Sequence, residues 1–224
     1  MRKSAILLLA GNGTRFKSDK PKQYTSLLGR PLFSYALNVL IESQAFDEII
    51  LVTSPKFPLS YPGIKTVQGG STRQASSFKG LLACHPETDT VLIHEGVRPF
   101  LTLEMIAGHL KAAKTYSAIN TCIPSTDTLI YSECGQTIQE IPNRNHLLRG
   151  QTPQTFHYPL ILKAHKTTKI RSATDDCQLL ISQNHPVHIL PGTSENIKIT
   201  HPFDLKIAEQ ILKNFYTKRV QKSV

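Results

Sequence analysis

No run of eighteen apolar residues occurs in this chain, which excludes a helix long enough to cross a bilayer. Met1-Arg2-Lys3 followed by Ala5-Ile6-Leu7-Leu8-Leu9-Ala10 imitates a signal peptide. The apolar stretch is short, however, and runs into a glycine-rich turn instead of a cleavage site, so it reads as the first buried strand of a cytoplasmic protein. Cysteine is scarce. Cys84, Cys122, Cys134 and Cys177 stand far apart with no C-x-x-C pair, which excludes a disulfide scaffold or zinc knuckle and fits reduced thiols. Internal repeats, low-complexity tracts and linkers are absent. The net charge of +10 calls for anionic partners, nucleic acid or small phosphates. No RRM or helix-turn-helix pattern accompanies that charge, and the C-terminal basic run, Lys213 to Lys222, reads as a solvated helix end. Small phosphates are therefore the expected partners, with no nucleic acid and no membrane.

What is present fits one α/β domain. The chain has 224 residues, 40% of them hydrophobic, enough for a buried core. Apolar runs alternate with helical patterns: strand 4–10, helix 32–43, strand 48–53, strand 64–67, helix 72–84 and strand 90–93. Helix 103–115, strand 118–123, a helix near 176–183, strand 187–190 and helix 204–215 follow. Short, β-branched, continuously apolar strands between amphipathic helices predict a mostly parallel twisted sheet covered by helices on both faces. Ligands of such sheets sit beyond the carboxyl ends of the strands. Residues 124–154 break the rhythm: they are polar, carry both signs of charge, and include Ser132-Glu133-Cys134-Gly135-Gln136, a hairpin tip. They read as a protruding β-arm or a surface loop.

Directly after the first strand comes Leu9-Ala10-Gly11-Asn12-Gly13-Thr14-Arg15-Phe16, then Lys20-Pro21-Lys22-Gln23-Tyr24. Glycines at a strand end let backbone N–H groups converge on an anion. Phe16 stands where the dinucleotide fingerprint requires its third glycine, and the Walker pattern is absent. A plain turn explains the two glycines but not Arg15 and Lys22 close behind them. Two fixed cations beside a phosphate cradle are what attack at phosphorus needs, because charge gathers on the equatorial oxygens and the departing pyrophosphate.

Further segments appear in a telling order: Gly69-Gly70-x-x-Arg73-x-x-Ser76, His94-Glu95-Gly96-Val97-Arg98-Pro99, Asp127-Thr128, Gln151-Thr152-Pro153-Gln154, Thr174-Asp175-Asp176 and Asn196-Ile197-Lys198-Ile199-Thr200. With the first turn, they make the chain resemble the cytidylyltransferases that act on 2-C-methyl-D-erythritol 4-phosphate and their relatives that act on ribitol 5-phosphate. The resemblance implies a Rossmann-like nucleotidyltransferase fold in a single domain, 1–224, with 124–154 as a dimerisation and substrate arm. It implies that Ala10, Gly11 and Gly13 hold the CTP phosphates and part of the nucleoside, and that Gly70, Arg73 and Ser76 form the cytosine and ribose pocket. Arg15, Lys22 and Lys198 are the implied catalytic cations. Glu95, Arg98, Thr128, Arg144 and Thr152 are the implied acceptor-side residues, some reaching across a homodimer. Mg2+ is expected to bind mainly through the CTP phosphates, with no dedicated protein metal site.

The resemblance departs on the acceptor side. The family usually has Asp-Ala-Ala or Asp-Gly-Ala after the histidine, against Glu95-Gly96-Val97 here, and Thr126 stands where the methylerythritol enzymes commonly carry Arg. Glu95 keeps a charge for acceptor hydroxyls or a metal-bound water. Val97-Arg98-Pro99-Phe100 and Gly150 to Gln154 are more similar to the ribitol branch. The methylerythritol acceptor is the first reading and ribitol 5-phosphate the alternative. A catalytically silent nucleotide-binding protein and a basic RNA-binding module are the readings from other classes. His185 and His188 flank Pro186 with no third ligand near and are not read as a metal pair. Asp175 and Asp176, following Thr174, read as helix-capping residues, and Cys177 as a small buried apolar one.

Overall fold

The structure is a computed structural model of the chain, and it describes residues 1–11, 16 and 21–221, with the backbone alone from 215 onward. Seven strands form one sheet in the order β5-β4-β1-β6-β8-β7-β9. These are β1 (Arg2–Leu9), β4 (Glu48–Thr53), β5 (Lys65–Gln68), β6 (Thr88–Glu95), β7 (Ala118–Pro124), β8 (Leu148–His157) and β9 (His188–Pro191). A small separate hairpin pairs β2 (Ser26–Leu27) with β3 (Arg30–Pro31). The helices are α1 (Leu32–Glu42), α2 (Arg73–Ala83), α3 (Leu103–Ala112), α4 (Tyr158–Thr167), α5 (Cys177–Ile181) and α6 (Pro202–Gln221). The mostly parallel α/β sheet expected from the hydrophobic pattern is present, with β8 antiparallel to both of its neighbours.

β1 shows why both faces are covered. Its side chains alternate: Ile6 and Leu8 join Val52, Ile93, Leu81, Ile161 and Leu179 on the face covered by α2, α4 and α5. Ala5, Leu7 and Leu9 join Phe33, Leu37, Leu40 and Ile106 under α1 and α3. A third cluster, Phe16, Leu27, Leu32, Val97, Phe100, Ile199 and Leu212, packs α6 beneath the carboxyl end of the sheet. The chain runs outward from β1 to β4 and β5, then crosses back to β6 on the other side of β1. That reversal opens a crevice at the carboxyl ends of β1 and β6.

The segment 124–154 divides in two. Residues 148–154 lie within β8, inside the sheet, so the structure shortens the excursion to about 125–147. There Tyr131 and Glu140 form one isolated bridge, and Gly135, at φ +70°, turns the tip with its N–H donated to Ser132 Oγ. β8 carries no alternating hydrophobic pattern. β8 is polar because its side chains are bonded inside the protein: Thr155 and Thr121 hold both ring nitrogens of buried His109, at 3.0 and 2.8 Å. Thr121 Oγ1 donates to Pro153 O at 2.6 Å, so His109 Nε2–H donates to Thr121. Burial, which lowers the ring to about 4, keeps it neutral, with Nδ1 accepting from Thr155.

α2 lies close on the sheet at Gly80. A Cβ there would stand 2.8 Å from Ile6 Cγ2 and 2.9 Å from Val52 Cγ2. Gly80→Val is therefore expected to destabilise the fold by about 1–3 kcal/mol through overpacking, read as a lower thermal midpoint. An unchanged midpoint would mean that α2 does not pack as described.

Candidate active site

The crevice holds an open cavity of about 300 Å³. Its wall brings together Ala10 and Gly11 from the end of β1, Lys22 and Gln23, Gly70 to Arg73 and Ser76 from the start of α2, Glu95 at the end of β6, Val97, and Lys198. Ala10, Gly11, Gly70, Arg73 and Ser76 of the nucleotide-side residues read from the sequence thus meet in one place with Lys22 and Lys198, and with the acidic Glu95 among them. Gly13 and Arg15 lie outside the described residues.

Each wall is fixed from behind. Gln23 Nε2 donates to Leu9 O and, at 2.9 Å, to Gly11 O, holding the end of β1 and the Ala10–Gly11 step that lines the cavity. The sequence motif contains Gln23 without revealing this task. A Cβ at Gly69 would strike Ala10 Cβ and stand 2.9 Å from Ser76 Oγ, so only glycine lets the loop after β5 close against β1. Ser76 is buried, not a helical surface residue: its Oγ donates to Thr72 O at 2.9 Å and accepts from Gly70 N at 3.1 Å. Thr72 caps α2 by accepting from Ala75 N at 3.0 Å. The start of this eleven-residue helix, with its positive dipole end, faces the cavity and favours an anion there.

Glu95 is the centre of the charge arrangement. Oε1 accepts from Lys198 Nζ at 2.8 Å and Arg73 Nε at 3.3 Å, and Oε2 from Arg98 Nε at 3.3 Å. Burial alone would raise its carboxyl, but Lys198, Arg73 and Arg98 outweigh that and hold it at about 2. Arg73 also reaches Asp176 Oδ2 (2.8 Å) and Gln154 Oε1 (3.3 Å). Burial would lower Arg73, yet Asp176 and Glu95 reverse the direction and raise it, so the guanidinium stays charged. Glu95, expected to face acceptor hydroxyls, has both oxygens committed to cations.

The acceptor-side residues are not brought together as a group. Arg98 and Thr152 are buried behind Glu95, off the cavity wall. Arg98 gives Nη1 to Asn196 O at 2.8 Å and Nη2 to Gly150 O at 3.4 Å. Thr152 Oγ1 accepts from Glu95 N at 3.1 Å, which leaves its hydrogen for His94 Nδ1 at 3.0 Å. His94 Nε2–H then donates to Arg98 O at 3.0 Å. This closed loop of bonds pins the 94–98 turn that carries Glu95. Asn196 gives its amide to Thr152 O at 2.8 Å, and Ile199 N donates to Val97 O at 2.9 Å, which docks the Lys198 segment onto the same turn. Thr128 and Arg144 are exposed on the arm, Arg144 bonded to Thr126 O, and neither lines this chain's cavity.

The capping role read for the acidic pair needs a correction. Asp175 does cap, accepting from Cys177 N at 2.7 Å. Asp176 makes no capping bond: it is 1% exposed and pairs with Arg73 and with His165 Nε2 at 3.0 Å. A carboxylate placed at a short helix start cannot be told from sequence to be facing inward, toward a buried arginine. Cys177 is buried as read. His188 stacks on Tyr116 with ring centroids 3.6 Å apart.

An open, mostly parallel sheet with a cation-walled crevice at its reversal point is the architecture of an α/β protein that binds an anionic ligand beyond its strand ends. Residues 4–214 match the family model described as IspD: 2-C-methyl-D-erythritol 4-phosphate cytidylyltransferase. The chain belongs to that family, whose members are enzymes. It is 37% identical over 223 residues to the 2-C-methyl-D-erythritol 4-phosphate cytidylyltransferase of Alkaliphilus oremlandii, covering 94% of each chain. Against that of Clostridioides difficile it is 36% identical over 221 residues, covering 93% of each. The solved structure of the Thermus thermophilus enzyme of the same name superposes with a TM-score of 0.81 at 31% identity, covering 95% of this chain and 100% of that one. The 4-diphosphocytidyl-2C-methyl-D-erythritol synthase structure from Anaerococcus prevotii gives 0.80 at 30% identity, covering 95% and 98%.

The buried imidazoles set an acid limit. Burial lowers His94 and His109 from 6.5 to about 4. As pH falls from 6.5, the unfolded chain binds protons at these rings and the folded chain does not, so stability drops until pH 4. Glu95 acts below that: its depressed value stabilises the fold above about pH 4.5, and that stability disappears as pH falls toward 2. Between pH 7 and 5, each histidine is expected to remove on the order of 2 kcal/mol, read by urea denaturation. Equal stability at the two pH values would contradict the neutral, buried assignment.

Proposed function

We propose that this chain transfers CMP from CTP to 2-C-methyl-D-erythritol 4-phosphate, giving CDP-methylerythritol and pyrophosphate for the non-mevalonate route to isoprenoids. The carrying observation is family membership across 4–214 together with a crevice whose wall presents Lys22, Arg73 and Lys198 beside Ala10 and Gly11. A phosphate oxygen of the acceptor, already ionised at neutral pH, attacks the α-phosphorus, and the bond from that phosphorus to the pyrophosphate oxygen breaks, the electron pair leaving with pyrophosphate. No proton has to move, so orientation and charge neutralisation carry the rate. In this reading Ala10, Gly11 and Gly13 cradle the triphosphate, and Arg15, Lys22 and Lys198 neutralise the reacting phosphates. Gly70, Arg73 and Ser76 hold the cytidine. Glu95 sets Lys198 and Arg73 at the angle they need, and Arg98 and Thr152 hold Glu95.

Magnesium enters as part of the substrate. Glu95, the acidic side chain on the cavity wall, has both oxygens bonded to cations, which supports a reading in which it does not hold the ion. The triphosphate's own oxygens and water suit it better. The proposal places the enzyme in the cytoplasm; no helix among the described residues is long and apolar enough to cross a membrane. A homodimer belongs to the same reading. Leu129, Ile130, Tyr131, Ile138 and Ile141 on the arm are 40–60% exposed, an apolar set that a second copy would cover. Thr128 and Arg144 would then complete the partner's acceptor side. Sedimentation that finds only monomer at working enzyme concentration overturns this part.

The test is CTP with a panel of acceptors, scored by pyrophosphate release. Turnover with 2-C-methyl-D-erythritol 4-phosphate is expected, and turnover with ribitol 5-phosphate alone overturns the acceptor. Lys22→Ala is expected to lower kcat by about two orders of magnitude with the fold intact, as loss of one aligned charge-stabilising group does. Arg73→Ala is expected to act mainly on CTP affinity. Normal turnover in Lys22→Ala contradicts the phosphate-side assignment.

A further inference from the structure

His165 stands on α4, off the cavity wall, yet its side chain is 1% exposed and tied to the cavity by two bonds. Its Nε2 meets Asp176 Oδ1 at 3.0 Å, and Asp176 Oδ2 accepts from Arg73 Nη1 at 2.8 Å. Arg73 is on the wall. A carboxylate only accepts, so the imidazole nitrogen donates whatever its charge. The ring's plane is set independently by Phe78 of α2, stacked at 5.5 Å between centroids and 2° between planes.

The three partners of Arg73 differ in how firmly they hold it. Glu95 is shared with Lys198 and Arg98 at 3.3 Å from Arg73 Nε, and Gln154 lies 3.3 Å from Nη2 while its amide serves Asn120 and Asp175. Asp176 makes the shortest of the three bonds and is buried to 1%. A carboxylate held by one partner can rotate about its own bond. A second donor on the other oxygen fixes its plane, and with it the direction of the guanidinium.

We propose that His165 is a positioning residue for nucleotide binding: through Asp176 it aims the Arg73 guanidinium into the crevice, so CTP affinity depends on a ring that lies outside the pocket. This rests on the CTP reading above. A core histidine with a purely structural task would affect stability and leave affinity alone.

The experiment measures CTP affinity of the full chain by calorimetry, beside thermal midpoints. His165→Phe keeps a ring against Phe78 and removes the donor; His165→Gln keeps an N–H near the position of Nε2. The expected result is CTP binding weakened about tenfold in His165→Phe and restored to within about threefold of wild type in His165→Gln. In an Arg73→Ala background, His165→Phe is expected to add nothing further. If His165→Phe does not fold, His165→Met takes its place. Unchanged CTP affinity in the donor-less variant, equal weakening in His165→Gln, or an additive loss in the Arg73→Ala background overturns the positioning role. A wild-type chain that binds no CTP overturns the nucleotide reading itself, a different outcome seen before any variant is made.

Discussion

Three cations converge on one buried carboxylate. Lys198, Arg73 and Arg98 all bond Glu95, and each arrives from a different part of the chain: the segment after β9, the first turn of α2, and the turn after β6. Burying any one of these charges alone would be costly. Together they neutralise one another enough to be held in place, and the cationic surplus faces the crevice. The rest of the site depends on this. The His94–Thr152 bonds pin the turn under Glu95, Asn196 docks the Lys198 segment, and Asp176 with His165 braces Arg73 from the far side.

The arrangement has a chemical consequence. A nucleotide triphosphate entering the crevice meets charges whose positions are already set, so little reorganisation remains for the reaction itself. Backbone groups after β1 and the start of α2 provide the other half of the cradle, and they too are fixed, by Gln23 and by Ser76. Glu95 reaches all three cations at once. In this protein the acidic position organises cations first.

Legibility followed the hydrophobic pattern. Strand 48–53 and the start of α1 at Leu32 were readable because their buried stretches are apolar: Ile50, Leu51 and Val52 in the strand, Leu32, Phe33, Ala36, Leu37 and Leu40 in the helix. β8 was not. Gln151, Thr152, Gln154 and Thr155 are buried yet polar, each bonded to a partner distant in sequence, so a central strand has the composition of a loop. Of the site, the residues facing the crevice were legible from motif order. The supports were hidden for a common reason: Asp176, His165 and Gln23 act through partners that only the fold brings near. Arg98 and Thr152 were legible as important residues but not as residues behind the wall.

The central claim concerns the charge state of Glu95, and an NMR titration of its carboxyl carbon reads that directly. Convergence of three cations predicts no titration from pH 7 down to 4, with a midpoint near 2. A midpoint at the ordinary value of 4.5 or above would mean that Lys198, Arg73 and Arg98 do not meet there, and would contradict that arrangement.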